Sequence, residues 1–285
     1  MIRYHIAPGA LIQAILKEKT TWLKRAGKQK KEFKDHGGYF THSNFWSEIK
    51  QVYMRLQHYK CAYCERRLED ADVGKVEWDL EHFRPKASVK EIVHNEINFP
   101  TGPARDEGYY LLAYHPFNYL ASCKPCNTPL KSTYFPIGGT RGPADARQPK
   151  LLADEKPLFI FPLGPTDVSP GSLITYMGML AVPKHKRGFK HHRAKVTILC
   201  FDLNRETLLL QRAEQLDHMW MAYLVSKGGT ATKDVKQAEK TLTRLRSARS
   251  IHAGCSRAFY RLIKRDPAEA VRVYDTVFGF LNRRS

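Results

Sequence analysis

Between residues 45 and 59 the apolar positions Phe45, Ile49, Val52, Leu56 and Tyr59 recur at alternating intervals of four and three. That spacing places them on one face of a helix, with Ser43 or Asn44 available to cap its start. The helix would deliver the chain directly into Cys61. The stretch before it, "KRAGKQKKEFKDHGG", is basic and reads as an exposed loop or a frayed helix end. Near residue 76 the period changes to two. Val76, Trp78 and Leu80 alternate with Glu77, Asp79 and Glu81, which predicts a strand with one buried face. "VKEIVHNEINFPTGPARDEG" is polar and broken by Gly and Pro, as expected of an inserted loop. "YYLLAYHPFNYL" is apolar and aromatic and leads into a second cysteine pair.

Beyond residue 140 a Pro/Gly-rich passage predicts loops with one short strand at "PLFIFPL" and another at "LITYMGML". The period then becomes helical. Leu209, Ala213, Leu216, Trp220 and Tyr223 form one stripe, ended by Gly228-Gly229. Val235, Ala238, Leu242 and Leu245 form a second, and Ala270, Tyr274, Val277 and Leu281 a third. Core packing is the ordinary use of such stripes. Trp220, Phe259, Phe278 and Phe280 are large enough to serve either the core or a docking surface. The organisation expected is an N-terminal helical region at 1–57, a motif-bearing region at 58–140 and a mostly helical, basic region at 141–285.

The chain has 285 residues, 42% of them hydrophobic, which is enough for a sizeable core. No apolar run approaches a membrane span, and the first residues lack the order of a secretion signal, so a cytoplasmic protein without a membrane association is expected. The formal charge of +19 attracts polyanions. Its distribution is uneven. Residues 183–195 hold six Lys/Arg, three His and no acid, and residues 241–285 hold ten Lys/Arg against three acids. Such clusters suit a phosphate backbone. Lys184, Lys186, Arg187, Lys190 and Arg193 are therefore expected to contact nucleic acid.

Four of the six cysteines form two CxxC pairs, Cys61/Cys64 and Cys123/Cys126, 58 residues apart. Without a secretion signal a disulfide framework is not expected, and a thioredoxin-type redox pair needs only one CxxC. Two pairs read best as four thiolates around one structural zinc ion. Cys200 and Cys255 read as buried thiols. His82, Asn118 and Asn127 stand among these cysteines. Each alone has a plain reading: a CxxC is often only a zinc clip, and a lone histidine is more often structural than catalytic.

In order and spacing, Cys61-x-x-Cys64, Glu81-His82-x-x-Pro85, Asn118, Cys123-x-x-Cys126-Asn127 and Lys131 together resemble the HNH endonuclease family, in the variant where Asn replaces the last His. "CAYCE", "EHFRPK", "YYLLAYHPFNYLASCKPCN", "LLAD" and "RAKVTILCFDLNRETLLLQR" narrow the resemblance to the PtuB-like and retron-associated HNH nucleases of bacterial anti-phage systems. The motif covers about 80 residues and the narrower resemblance runs to about residue 212. The resemblance implies an α+β protein, a ββα-metal (His-Me finger) unit embedded among helices. It implies His82 as general base, Asn118 as the pin that orients it, and Glu81 and Asn127 as ligands of a catalytic Mg²⁺ or Mn²⁺. Many relatives carry Asp where Glu81 stands.

The chemistry is consistent with those assignments. A histidine neutral near physiological pH can take a proton from water, and a hard cation prefers carboxylate and amide oxygens. Arg84 and Lys131 are candidate phosphate contacts, with a surface-cation role equally open. DNA is the expected substrate, through backbone contacts, and an ATPase subunit (PtuA-like) the expected partner. Two alternatives stand beside this: a zinc-stabilised nucleic-acid-binding subunit without its own activity, and an HNH nuclease acting on RNA or tRNA.

Overall fold

In the computed structural model, which describes residues 1–40, 44–68, 77–228 and 232–283, the alternating stretch forms strand β1, Trp78–His82. It pairs antiparallel with β2, Tyr119–Cys123, in a register that sets Trp78 opposite Cys123 and His82 opposite Tyr119. One buried face was expected. At the end of β1, however, Leu80 and Glu81 are both buried, and every residue of β2 is buried. A carboxylate tolerates that position because a cation, Lys131, is buried against it. A second hairpin joins β3, Ile174–Met177, to β4, Leu180–Pro183. The rest of the regular structure is helical, so the fold is α+β with two small antiparallel sheets.

The expected helix over 45–59 divides. Phe45–Ile49 is a 3₁₀ turn and α3 is Lys50–Leu56, ending before His58 and Tyr59, both left-handed with φ of 54° and 56°. This sharp reversal feeds the first cysteine pair. Asn44 makes no side-chain cap, and Ser43 and Val76 lie outside the described residues. The basic stretch before it is not a loop. It lies in α2, Trp22–His36, which follows α1, Pro8–Glu18. Three buried side chains, Trp22, Ala26 and Phe33, are sufficient stripe for it, with Phe33 packed among the rings of Tyr39, Phe40 and Tyr114.

"PLFIFPL" forms no strand. Leu158–Phe161 is a buried core segment held by single bridges, Pro157 to Ile137 and Leu163 to Tyr4. Pro157 and Pro162 have no N–H to offer a ladder. The basic run around residue 190 carries a helix the pattern did not show: α4, Gly188–Cys200. Four helices follow: α5 Glu206–Ser226, α6 Lys233–Arg246, α7 Ala253–Arg265 and α8 Pro267–Asn282. Gly228 follows α5 as expected, whereas Gly229 lies outside the described residues. Thr232 caps α6 and Asp266 caps α8, each accepting a backbone N–H through its side chain.

Side chains from all three expected regions share the larger core, which runs from Met1 to Leu208 and includes Ala253. A smaller core is built by α5–α8 on Leu216, Met219, Leu242, Phe259 and Val277, with Tyr176 and Met179 of the second hairpin packed against it. Trp220 and Phe259 are buried there, while Phe278 stays half exposed. Among the described residues no helix is long and apolar enough to cross a membrane.

Candidate active site and zinc centre

The left-handed turn after α3 brings Cys61 and Cys64 against β2. Gln57 locks the two together: its amide nitrogen donates to the carbonyls of Lys60 (3.0 Å) and Ala121 (2.8 Å), and its oxygen accepts from Ala121 N–H (2.8 Å). Ala62 N–H donates to Ala121 O at 3.0 Å. β2 ends in Cys123, and Cys126 opens a short helical turn, Cys126–Lys131, closed by a bond from Ser132 N–H to Asn127 O. All four thiols are buried, unpaired as disulfides, and have their sulfurs within 4.8 Å of one another. A tetrahedral ion with Zn–S bonds of about 2.3 Å sets its sulfurs roughly 3.8 Å apart. Cys64 Sγ and Cys123 Sγ are 3.8 Å apart. Buried thiolates at this separation need a cation among them. The donor set fits a closed, structural zinc site without a solvent-facing position.

The same turn places Asn127 beside β1. A polar cavity of about 350 Å³ is lined there by Asp79, Glu81, His82, Asn127, Lys50 and Lys86. His82 is almost fully buried, wedged edge-on between the rings of Trp46 and Tyr119, both 5.0 Å away. Its Nε2 lies 3.0 Å from the carbonyl of Ala113. A carbonyl only accepts, so Nε2 carries the proton and Nδ1 keeps its lone pair. Burial, and then the charge of Lys86, hold the imidazole well below its usual pKa, against a smaller opposing effect of the Ala113 bond. The ring is neutral at physiological pH.

Asn118 does not reach the cavity; it is fully buried behind β1. Its side-chain oxygen accepts from Arg84 N–H (2.8 Å), and its amide donates to the carbonyls of Arg84 (3.0 Å) and Leu112 (3.1 Å). Its own carbonyl accepts from Phe83 N–H. The two residues after His82 are thus bonded to Asn118, and Leu112 is the neighbour of Ala113, which orients the imidazole.

Glu81 points into Lys131, with Oε1 3.1 Å from the ammonium but in no well-aligned hydrogen bond. Burial is the main cause of a carboxyl pushed up to about 7; Lys131 opposes it. Burial likewise lowers Lys131. Asp79, outside the motif on an alternate position of β1, is the carboxylate that touches Asn127. Asn127 Nδ2 donates to Asp79 Oδ2 at 2.9 Å, leaving Asn127 Oδ1 without a hydrogen bond among the described residues. Lys124 and Lys50 approach the same carboxylate, at 2.8 and 3.9 Å. The oxygens of Asp79, Asn127 and Glu81 suit a hard divalent cation, with Glu81 already shared with Lys131. The signal for Asp79 was present: two residues from Glu81 on a strand, it lies on the same face.

Three of the cations expected at phosphate are committed internally. Arg84 is buried and donates to Glu155 at 2.9 Å, Lys131 is buried on Glu81, and Arg193 is buried in a bidentate pair with Asp167 at 2.8 and 2.5 Å. Sequence does not distinguish them from surface cations, because their acidic partners Glu155 and Asp167 are remote in the chain. Lys86 instead lines the cavity, 4.9 Å over the Trp46 ring. Lys184, Lys186, Arg187 and Lys190 are exposed around the start of α4 and do not line the cavity of His82.

Part of this chain is similar to a curated protein, the Septu protein PtuB of Bacillus mycoides (strain KBAB4), with 27% identity over 166 residues. The match covers 58% of this chain and spans about half the length of that relative. No family model matches the chain, and no solved structure matches it.

Proposed function

We propose that this chain is an HNH endonuclease that hydrolyses phosphodiester bonds in DNA with a divalent cation, and that it serves an anti-phage system of the Septu type beside an ATPase partner. The observation that carries the chemistry is one cavity lined by a neutral histidine with a free Nδ1 and by the oxygens of Asp79, Glu81 and Asn127. The similarity to a Septu protein supports the biological setting.

In this reading His82 Nδ1 accepts a proton from the attacking water, and the Ala113 carbonyl holds the ring through Nε2 while it does so. Trp46 and Tyr119 keep the ring from rotating and exclude bulk water from its faces. Asp79 and Asn127, with Glu81, would hold Mg²⁺ or Mn²⁺, which supplies charge stabilisation at the phosphate and the leaving oxygen when bound. Lys86 meets a non-bridging phosphate oxygen. Asn118 sets the position of His82 from behind, and a zinc ion held by Cys61, Cys64, Cys123 and Cys126 would join the turn bearing Asn127 to the knuckle of Cys61 and Cys64 before β1. The basic surface around α4 takes backbone phosphates.

The test is cleavage of labelled DNA and RNA by the purified chain, alone and with a PtuA-like ATPase, in Mg²⁺, Mn²⁺ or without an added divalent cation. Divalent-dependent scission of DNA supports the reading. Absence of scission under every condition, with zinc present and the protein folded, contradicts it.

A further inference from the structure

A second cavity, of about 570 Å³, is lined by Arg55, His58, Tyr59 and Arg67, which flank the zinc knuckle of Cys61 and Cys64, and by Arg249, which precedes α7. Among the described residues no acidic side chain lines it. Arg55 is paired with Glu18, whereas Arg67 and Arg249 are exposed and carry no ion pair among the described residues. Two exposed guanidinium groups without an ion pair among the described residues, brought together from separate parts of the chain beside Arg55, favour an anionic occupant.

The walls of the cavity are built to hold this geometry. Arg55 lies at the end of α3, and a bridge between Lys60 and Arg67 fixes the second arginine to the zinc knuckle. The loop bearing Arg249 is tied to the same knuckle. Lys60 Nζ donates to Ser250 O at 2.8 Å, and Glu65 accepts from Gly254 N–H at 3.3 Å. Lys60 and Glu65 are themselves a buried pair at 3.5 Å. The arginines therefore face a preorganised space, which reduces the ordering cost of binding.

We infer that this cavity is a second phosphate-binding site, which grips the backbone of a polynucleotide at a distance from the bond that is cut. The inference rests on the nuclease reading for its purpose. Helix α3 relates the two sites: Lys50, its first residue, lines the cavity of His82, and Arg55, near its last, lines this one. Five residues advance about 7.5 Å along a helix and turn through roughly 500°, so the two side chains leave on different sides. The occupant is thus not the scissile phosphate but one further along the same strand. Guanidinium groups fit a phosphodiester through bidentate bonds, and His58 and Tyr59 add donors at the wall.

The experiment uses the zinc-loaded full chain carrying His82→Ala, without added Mg²⁺ or Mn²⁺, so that binding is read without cleavage. Affinity for a fluorescent DNA oligonucleotide is measured against salt, with and without Arg67→Gln and Arg249→Gln together. Losing two phosphate contacts should lower the slope of log K against log salt by about two, with zinc content and thermal midpoint unchanged. Lysine at both positions should restore most of the slope, which guards against a folding defect. An unchanged slope in the glutamine variant overturns the inference. So does a stabilisation by inorganic phosphate that the same variant abolishes while DNA binding stays intact, since the site would then serve a free anion. Because no cleavage is involved, a lowered slope in a protein that cuts nothing would leave this site standing and remove the nuclease reading alone.

Discussion

Replacing Asn118 with alanine tests how the imidazole of His82 is held. The side chain makes three hydrogen bonds, to Arg84 N–H, Arg84 O and Leu112 O, and is fully buried. Its loss strands one donor and two acceptors where water has poor access. Each stranded buried group costs about 1–3 kcal/mol, and the truncation leaves a small cavity. With partial relaxation the expected loss is about 3–5 kcal/mol. In a chain of this size each kcal/mol moves the thermal midpoint by roughly 2–4 °C, so a fall of about 6–20 °C is expected. Asn118→Asp should be no better, because a carboxylate would face two carbonyls that need a donor. Scanning calorimetry on zinc-loaded protein gives the shift, and cleavage below the lowered midpoint gives the consequence for His82. A change under 1 kcal/mol, with unaltered cleavage, would refute the pin.

Four other outcomes follow from the same geometry. Cys126→Ser should release zinc, measured by atomic emission, and unfold the hairpin region, since structural zinc in small sites contributes roughly 10–16 kcal/mol of binding free energy. Arg84→Ala should destabilise by about 3–5 kcal/mol because it leaves Glu155 buried and unpaired. Lys186→Ala should change stability by less than about 0.5 kcal/mol and weaken DNA binding instead, as denaturant melts and titrations would show. His115 accepts from Phe117 N–H through Nδ1, and burial is the main cause of its pKa falling to about 3. Its folded pKa is depressed, so the stability it contributes is present above about 6.5 and is lost as pH falls from there toward 3. His115→Asn should flatten that acid limb by about one proton, read from melts across that range.

The parts of the site that were legible in the sequence are those where chemistry is local. Two CxxC pairs state their own ligand count, and Glu81, His82 and Asn127 line one cavity because a hairpin and one helical turn suffice to gather them, with Asn118 bonded behind. Period two found β1, and period 3.6 found α5, α6 and α8. Other features depended on tertiary partners. α2 needs only Trp22, Ala26 and Phe33 because a cluster of aromatic rings awaits them. α4 hides a buried stripe beneath a basic first turn, and "PLFIFPL" has a strand's composition without the N–H groups for a ladder. The role of a cation is the least local property of all. Arg84, Lys131 and Arg193 resemble Lys186 in sequence, and only Glu155, Glu81 and Asp167 separate them. Asp79 stands outside the motif, and only its contact with Asn127 brings it to the site.

The central claim is that His82 Nδ1 is the base of a divalent-dependent phosphodiester hydrolysis. The most direct measurement is the rate of DNA scission in Mg²⁺ or Mn²⁺ by His82→Ala beside the unaltered chain, with zinc content and thermal midpoint matched. Loss of a general base should lower the rate by about 10²–10⁴-fold while DNA affinity of the zinc-loaded proteins without Mg²⁺ or Mn²⁺ stays within a factor of a few. An equal rate in the two proteins would contradict the account.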